Sequence, residues 1–212
     1  MLLLDHLVVI APSLAEGVAH VRDRLGLEMP FGGAHPEMGT HNHLLRLGDG
    51  AFLEVIAADP AAPAPAGPRW FGLDDAETLR ADWEAGRRLR AWVARTEALP
   101  ELLARHGDLL GTAASVSRGD RRWTFAVRPD GGLPAGGAAP CPIDWGPRGC
   151  PATAMPDLGA RLATFTVEHP DPDAIGALHA SLGLADPPRL RPGPALRLEA
   201  VIDTPSGPRV LS

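Results

Sequence analysis

Lysine, tyrosine and glutamine are missing from this 212-residue chain, and Asn42 is its only asparagine. All 20 basic residues are therefore arginines, set against 26 acidic residues for a formal net charge of −6. No basic run longer than short Arg pairs stands out, so a nucleic-acid partner held by clustered phosphate contacts is excluded. Cysteine is nearly absent as well: Cys141 and Cys150 lack zinc-like spacing and read as free thiols of a reducing cytoplasm. Long hydrophobic runs are lacking too. Asp5 and His6 interrupt the apolar start "MLLLDHLVVIA" and no positive segment precedes it, so it reads as a buried strand rather than a signal peptide or membrane span.

What remains is an ordinary globular composition, 45% apolar and 22% charged, in a chain long enough to bury a core without disulfide or metal. "LLLDHLVVIA" is strand-like, and "PSLAEGVAHVRDRLGL" follows it with Leu14, Val18, Val21 and Leu25 at helical spacing and a Ser13–Glu16 capping box. "LEMPFGG" suggests a short strand, and "HNHLLRL" and "AFLEVIA" flank "GDG", a hairpin signal. This makes a βαβββ unit over residues 1–58. A Pro/Ala-rich surface connection with a helix spans 59–87, and the order restarts over 88–150 with a hairpin about Arg118-Gly119-Asp120. A third, shorter copy covers 151–212, its helix capped by Asp171 with Pro172 in the first turn. The helix endings "RDRLGLE" and "HASLGLA" show the repetition directly. The expected fold class is α+β: repeated βαβββ modules forming a curved mixed sheet, a half-barrel around a cavity, with helices outside and the third module in the same globular unit.

The letters His41, Asn42 and His43 spell a nuclease motif, but adjacent letters alternate faces of one strand, and the acidic balance opposes that reading. Turn length decides which side chains meet. A three-residue Gly48-Asp49-Gly50 turn gives one apolar face of Leu45, Leu47, Leu53 and Val55, which can pack under a helix. The other face then carries Asn42, Leu44, Arg46, Phe52, Glu54 and Ile56, and His6 on the first strand points the same way. A few polar groups on an apolar wall suit a small-molecule pocket. Glu54 is expected to be functional, since a buried carboxylate needs a partner; the alternative is a structural ion pair with Arg46. His41 is a further candidate at the rim, whereas His20, His106 and His179 fall at polar helix positions and read as solvated.

"LDHLVV", the hairpin ending in "FLEVIA" and the restarted unit resemble the vicinal oxygen chelate superfamily. "GTHNHLLRLGDGAFLEVIAADP", "PCPIDW" and "VEHPDPDAIGALHASLGL" are similar, more narrowly, to glyoxalase-like domain proteins. The resemblance implies paired modules around one divalent metal (Zn, Ni, Mn or Fe(II)), with lyase, isomerase or dioxygenase chemistry. It carries the metal ligands onto His6, Glu54 and Asp144, with Glu54 and His6 as catalytic groups, and Asn42, Arg46, Phe52, His41 and Trp145 as substrate contacts. Ala91 stands where a fourth ligand would be. A metal-free binding or sequestering protein is the alternative. Either reading implies a small-molecule partner, no nucleic acid and no membrane, with a homodimer possible.

Overall fold

The computed structural model describes residues 1–212. The first unit contains β1 (Leu3–Ile10), α1 (Leu14–Leu25), β2 (Phe31–His35), β3 (Thr40–Arg46) and β4 (Phe52–Ala58). Ser13 caps α1, accepting from the Glu16 N–H while its hydroxyl donates to the Glu16 carboxylate, and Gly26 ends the helix at φ 69°. After helix α2 (Ala76–Glu84) the order restarts with β5 (Leu89–Arg95), α3 (Leu99–Leu110), β6 (Thr112–Arg118), β7 (Arg121–Val127) and β8 (Cys141–Asp144). These strands form one eight-stranded sheet, ordered β2-β3-β4-β1-β5-β8-β7-β6. Each half closes with its first strand parallel to its last, and the halves join through antiparallel β1 and β5. The sheet curls until its edges approach: Ser117 at the end of β6 donates to Glu37, just past β2, at 2.6 Å.

The remaining segment, β9 (Arg161–His169), α4 (Pro172–Leu182), β10 (Arg189–Pro192), β11 (Arg197–Thr204) and β12 (Gly207–Leu211), repeats the element order but not the pairing. Its first strand lies parallel to its second, not its last, in a separate sheet ordered β10-β9-β11-β12. Main-chain bonds fasten it to the barrel: Leu2 N–H donates to Gly183 at 3.0 Å, Ala185 N–H to Leu2 at 2.9 Å and Leu162 N–H to Leu47 at 3.1 Å.

The curled sheet divides the apolar residues in two. Outside it, Leu7, Val9, Leu45, Leu53 and Val55 pack with α1, while Trp92 and Ala94 on β5 meet the small sheet. Helix α1 comes close enough that a Cβ on Gly17 would overlap Val55 and approach Ala11 Cβ at 2.7 Å. Inside, Val8, Ile10, Ile56, Val93, Phe125 and Ile143 form a second cluster. The hairpin register is that of the three-residue turn, with Leu45 opposite Leu53, Leu44 opposite Glu54 and Leu47 N–H bonded to Ala51.

Two sequence readings need correction. The Pro/Ala-rich connection runs over the surface only in part: its short 3₁₀ turn Trp70–Gly72 sends Trp70 and Phe71 into the barrel, both buried. His20 and His179 are buried rather than solvated. Each gains a partner its helical pattern does not reveal, Arg88 at 2.8 Å for His20 and the Ala138 carbonyl at 2.8 Å for His179. No helix is long and apolar enough to cross a membrane.

Candidate functional site

Strand alternation turns His6, Asn42, Phe52 and Glu54 to the barrel interior, where they line one small cavity. Trp145 closes it at one end, and Trp70 and Phe71 enter from the connection between the halves. The second half contributes Arg118, Trp123, Phe125 and Ile143. The free volume is about 30 Å³, room for little more than a water molecule. The cavity is narrow but partly open to solvent, and a ligand larger than water needs side chains to move aside.

A charged chain runs through this apolar setting. His6 Nδ1 donates to Asp5 Oδ1 at 2.7 Å, and His6 Nε2 lies 3.4 Å from Glu54 Oε2. Asn42 Nδ2 donates to the other Glu54 oxygen at 2.5 Å. The imidazole stacks on Phe52 with ring centroids 4.3 Å apart, which fixes its plane. Asp5 reaches this position through a β-bulge: the β1–β5 register shifts between Leu4 and His6, leaving Asp5 unpaired. Its second oxygen accepts from Trp145 Nε1 at 3.0 Å and lies 3.6 Å from Arg95.

The electrostatics follow from this geometry. Burial disfavours the charged form of His6, but the carboxylates of Asp5 and Glu54 outweigh it and raise the pKa to about 9. Burial likewise opposes ionisation of Glu54, and the His6 imidazolium with the Asn42 amide overcomes it, holding the carboxyl below its usual range. His35, bonded to Thr40 at 3.0 Å, is pushed down to about 4 by burial and stays neutral. At neutral pH the site holds ionised Glu54, cationic His6 and neutral His35.

Three sequence candidates lie elsewhere. Arg46 faces inward by register, but it sits at the strand end and its guanidinium follows the hairpin, donating to the Gly48 carbonyl and to Asp49. His41 alternates to the opposite face from Asn42 and lies 3.9 Å from Asp59. Asp144 follows the inward-facing Ile143, so alternation turns it out, where it accepts from the Gly146 N–H at 2.8 Å. The expected trio of His6, Glu54 and Asp144 is therefore not assembled.

Sequence reasoning also left out Asp5, His35, Trp70, Phe71 and Arg118. Trp70-Phe71 had a usable signal, since burying two adjacent large aromatics is strongly favourable in a chain with only 5% aromatics. The Gly32-Gly33 doublet of β2 was another. A Cβ on Gly32 would overlap Asn42, and one on Gly33, at φ 145°, would lie 2.7 Å from Arg118 Cδ. The doublet makes the beds on which those two side chains rest.

The divalent metal implied by the resemblance can be tested against the donors. His6 Nε2 and Glu54 Oε2 are close enough to share an ion, yet catalytic metal sites of this kind generally use three protein ligands. The interior positions of β5 and β8 carry Ala91, Val93, Cys141 and Ile143. Burial pushes the Cys141 thiol up to about 12, and no three His, Cys, Asp or Glu side chains converge. Arg118 adds positive charge beside the carboxylate. The residues present do not fit a protein-held divalent metal.

Comparison with known proteins agrees with the architecture. The family described as "Glyoxalase-like domain" matches residues 4–183. A hypothetical protein from Staphylococcus aureus shares the fold at TM-score 0.61 and 10% identity, with 93% of this chain and 88% of that one covered. Methylmalonyl-CoA epimerase from Mycobacterium tuberculosis aligns at TM-score 0.41 and 20% identity, over 68% of this chain and 89% of its own. The Streptomyces coelicolor epimerase in complex with 2-nitronate-propionyl-CoA aligns at TM-score 0.41 and 15% identity, over 68% and 94%. No curated protein matches by sequence. With the family match covering most of the chain and both halves of the barrel, the protein belongs to the glyoxalase-like domain family.

Proposed function

We propose that this protein moves a proton on a small organic molecule bound inside the barrel, with Glu54 as the base at a carbon next to a carbonyl. The reaction class is isomerisation or elimination through an enolate. One observation carries the reading: Glu54 is a buried carboxyl group whose two oxygens are held by His6 and Asn42 on an otherwise aromatic wall. A carboxylate oxygen has more than one acceptor site, so one stays open toward the cavity.

In the forward step the Glu54 carboxylate takes the proton, the C–H electron pair becomes the new C=C bond, and the carbonyl oxygen gains the negative charge. The His6 imidazolium stays beside the new charge and offsets it, while Asp5 keeps that ring oriented. Asn42 holds Glu54 in place, and the aromatic lining excludes water. Return of the proton to another position, or loss of a leaving group, completes the reaction.

The test is hydrogen–deuterium exchange in D₂O, followed by NMR, across a panel of small 2-oxo acids, 3-oxo acids and simple ketones. The wild type is expected to accelerate exchange above buffer, and Glu54→Gln to lose about 10²–10⁴-fold of that acceleration, the usual contribution of a positioned general base. Exchange that survives in Glu54→Gln sinks the reading. A second reading, binding without turnover, draws on the narrow aromatic cavity; it takes over if panel members bind but none exchanges.

A further inference from the structure

Arg118 is the part of the cavity that the proton-transfer reading leaves without a task. It comes from the end of β6, in the second half of the barrel, and crosses the seam between the sheet edges to reach residues of the first half. Space for this crossing exists only because position 33 is glycine. Its one side-chain hydrogen bond is long, Nη1 to Asn42 Oδ1 at 3.4 Å, and no carboxylate lies within ion-pair distance of it. Arg90 and Arg95 by contrast each meet a buried aspartate, Asp82 at 2.7 Å and Asp5 at 3.6 Å. A guanidinium offers five N–H donors, so most of those on Arg118 are uncommitted to protein.

Two further observations point the same way. Trp70 lines the cavity and is 4% exposed, and its indole N–H is buried with no hydrogen-bond partner. A buried donor left over in this way asks for an acceptor from water or ligand. The charges also leave a remainder. Asp5 is met by His6 and Arg95 and Glu54 by His6, whereas Arg118 is in no ion pair and feels Glu54 only from beyond ion-pair distance. The cavity therefore offers surplus donors, a guanidinium outside any ion pair and an aromatic lining.

We propose that Arg118 is the specificity-determining residue of this cavity and that it selects small monoanions, carboxylates with an apolar or aromatic body, whose oxygens bind its guanidinium with Trp70 as a second donor. This rests on the reading of the cavity as the ligand site, and it narrows the proton-transfer substrate to a carbonyl compound that also bears a carboxylate. Planar, bidentate recognition of a carboxylate is the particular strength of arginine over lysine.

The test pairs acetate, pyruvate and benzoate with their neutral amides, with binding to the full-length protein measured by calorimetry and tryptophan fluorescence. In the wild type at least one carboxylate is expected to bind ten-fold or more tightly than its amide. Arg118→Met should abolish that preference, and Arg118→Lys should restore only part of it. Circular dichroism and an unchanged melting temperature establish that the variants fold; if Arg118→Met does not fold, Arg118→Lys carries the same comparison. Equal binding of carboxylate and amide to the wild type, or a carboxylate preference that persists in Arg118→Met, overturns the proposal, as does no binding by any of the three carboxylates. The exchange assay separates the two readings. Exchange of neutral ketones that ignores Arg118→Met leaves proton transfer standing and removes anion selection. Carboxylate selection without exchange of any 2-oxo or 3-oxo acid does the reverse.

Discussion

Asp5 and Trp145 stand 140 residues apart and meet through an indole N–H to carboxylate hydrogen bond of 3.0 Å. The carboxylate is the one that holds His6, so the end of the second half's last strand fixes a group on the first strand of the first half. Replacing Asp5 with Asn keeps the shape and removes the charge. The His6 pKa is expected to fall from about 9 by roughly 1–3 units, because burial then faces one carboxylate instead of two. NMR titration of the His6 ring reads this directly, and an unchanged midpoint would show that Asp5 does not set the protonation of His6.

Stability should pass through a maximum near pH 6.5. His6 is raised in the folded state, so its contribution is complete below its ordinary value of 6.5 and is lost as pH rises toward 9. His20 and His35 have the opposite sign. Burial pushes both down to about 4, so the unfolded chain takes up their protons first and stability falls as pH drops from 6.5 toward 4. Glu54, held below its usual range, adds to the acid loss. His179 is lowered by burial as well, so urea unfolding across pH 4–9 should show a slope of about two to three protons on the acid side and about one on the alkaline side. A curve still rising between pH 7 and 9 would contradict the charge state assigned to His6.

Adding Zn, Ni, Mn or Fe(II) to protein purified without a histidine tag is expected to leave the melting temperature within about 1 °C and metal content well below one per chain, since two donors beside a guanidinium bind a divalent ion poorly. Near-stoichiometric metal, lost in both His6→Ala and Glu54→Ala, would show that the cavity holds an ion after all.

Gly17 sits in α1 where alanine would ordinarily gain close to 1 kcal/mol in helix propensity. Here the added methyl would overlap Val55 and press on Ala11, so Gly17→Ala is expected to destabilise the protein by about 1–3 kcal/mol in denaturant unfolding. A stabilised variant would mean that helix and sheet separate with little cost.

Periodicity and turn chemistry made much of the barrel legible. The Ser13 cap, the three-residue turn and the inward face of Asn42 and Glu54 all follow from local rules, because a one-residue slip would bury the wrong face of the hairpin. The resemblance extended this to the paired halves. Sequence was silent wherever position depends on a distant partner. Arg118 read as the start of a hairpin turn, and only closure of the sheet brings it to Asn42. Asp5 read as an interruption, and only the bulge makes it a partner of His6. Asp144 was misplaced by one residue, an error that strand alternation converts into the wrong face. The third βαβββ order was visible, but element order alone does not determine which strands pair.

The small sheet has a practical meaning for anyone dissecting this chain. The family match ends at residue 183, which invites trimming there, yet Leu198, Ala200 and Ile202 on β11 are almost wholly buried against the rest of the protein. A fragment cut at that boundary would lose these residues, bare the apolar surface they cover and strip β9 of both neighbours, β10 and β11. With Leu2 bonded to Gly183 and Ala185, the two sheets share main-chain bonds and should melt as a single cooperative unit, so the boundary drawn by similarity is not one at which the molecule comes apart.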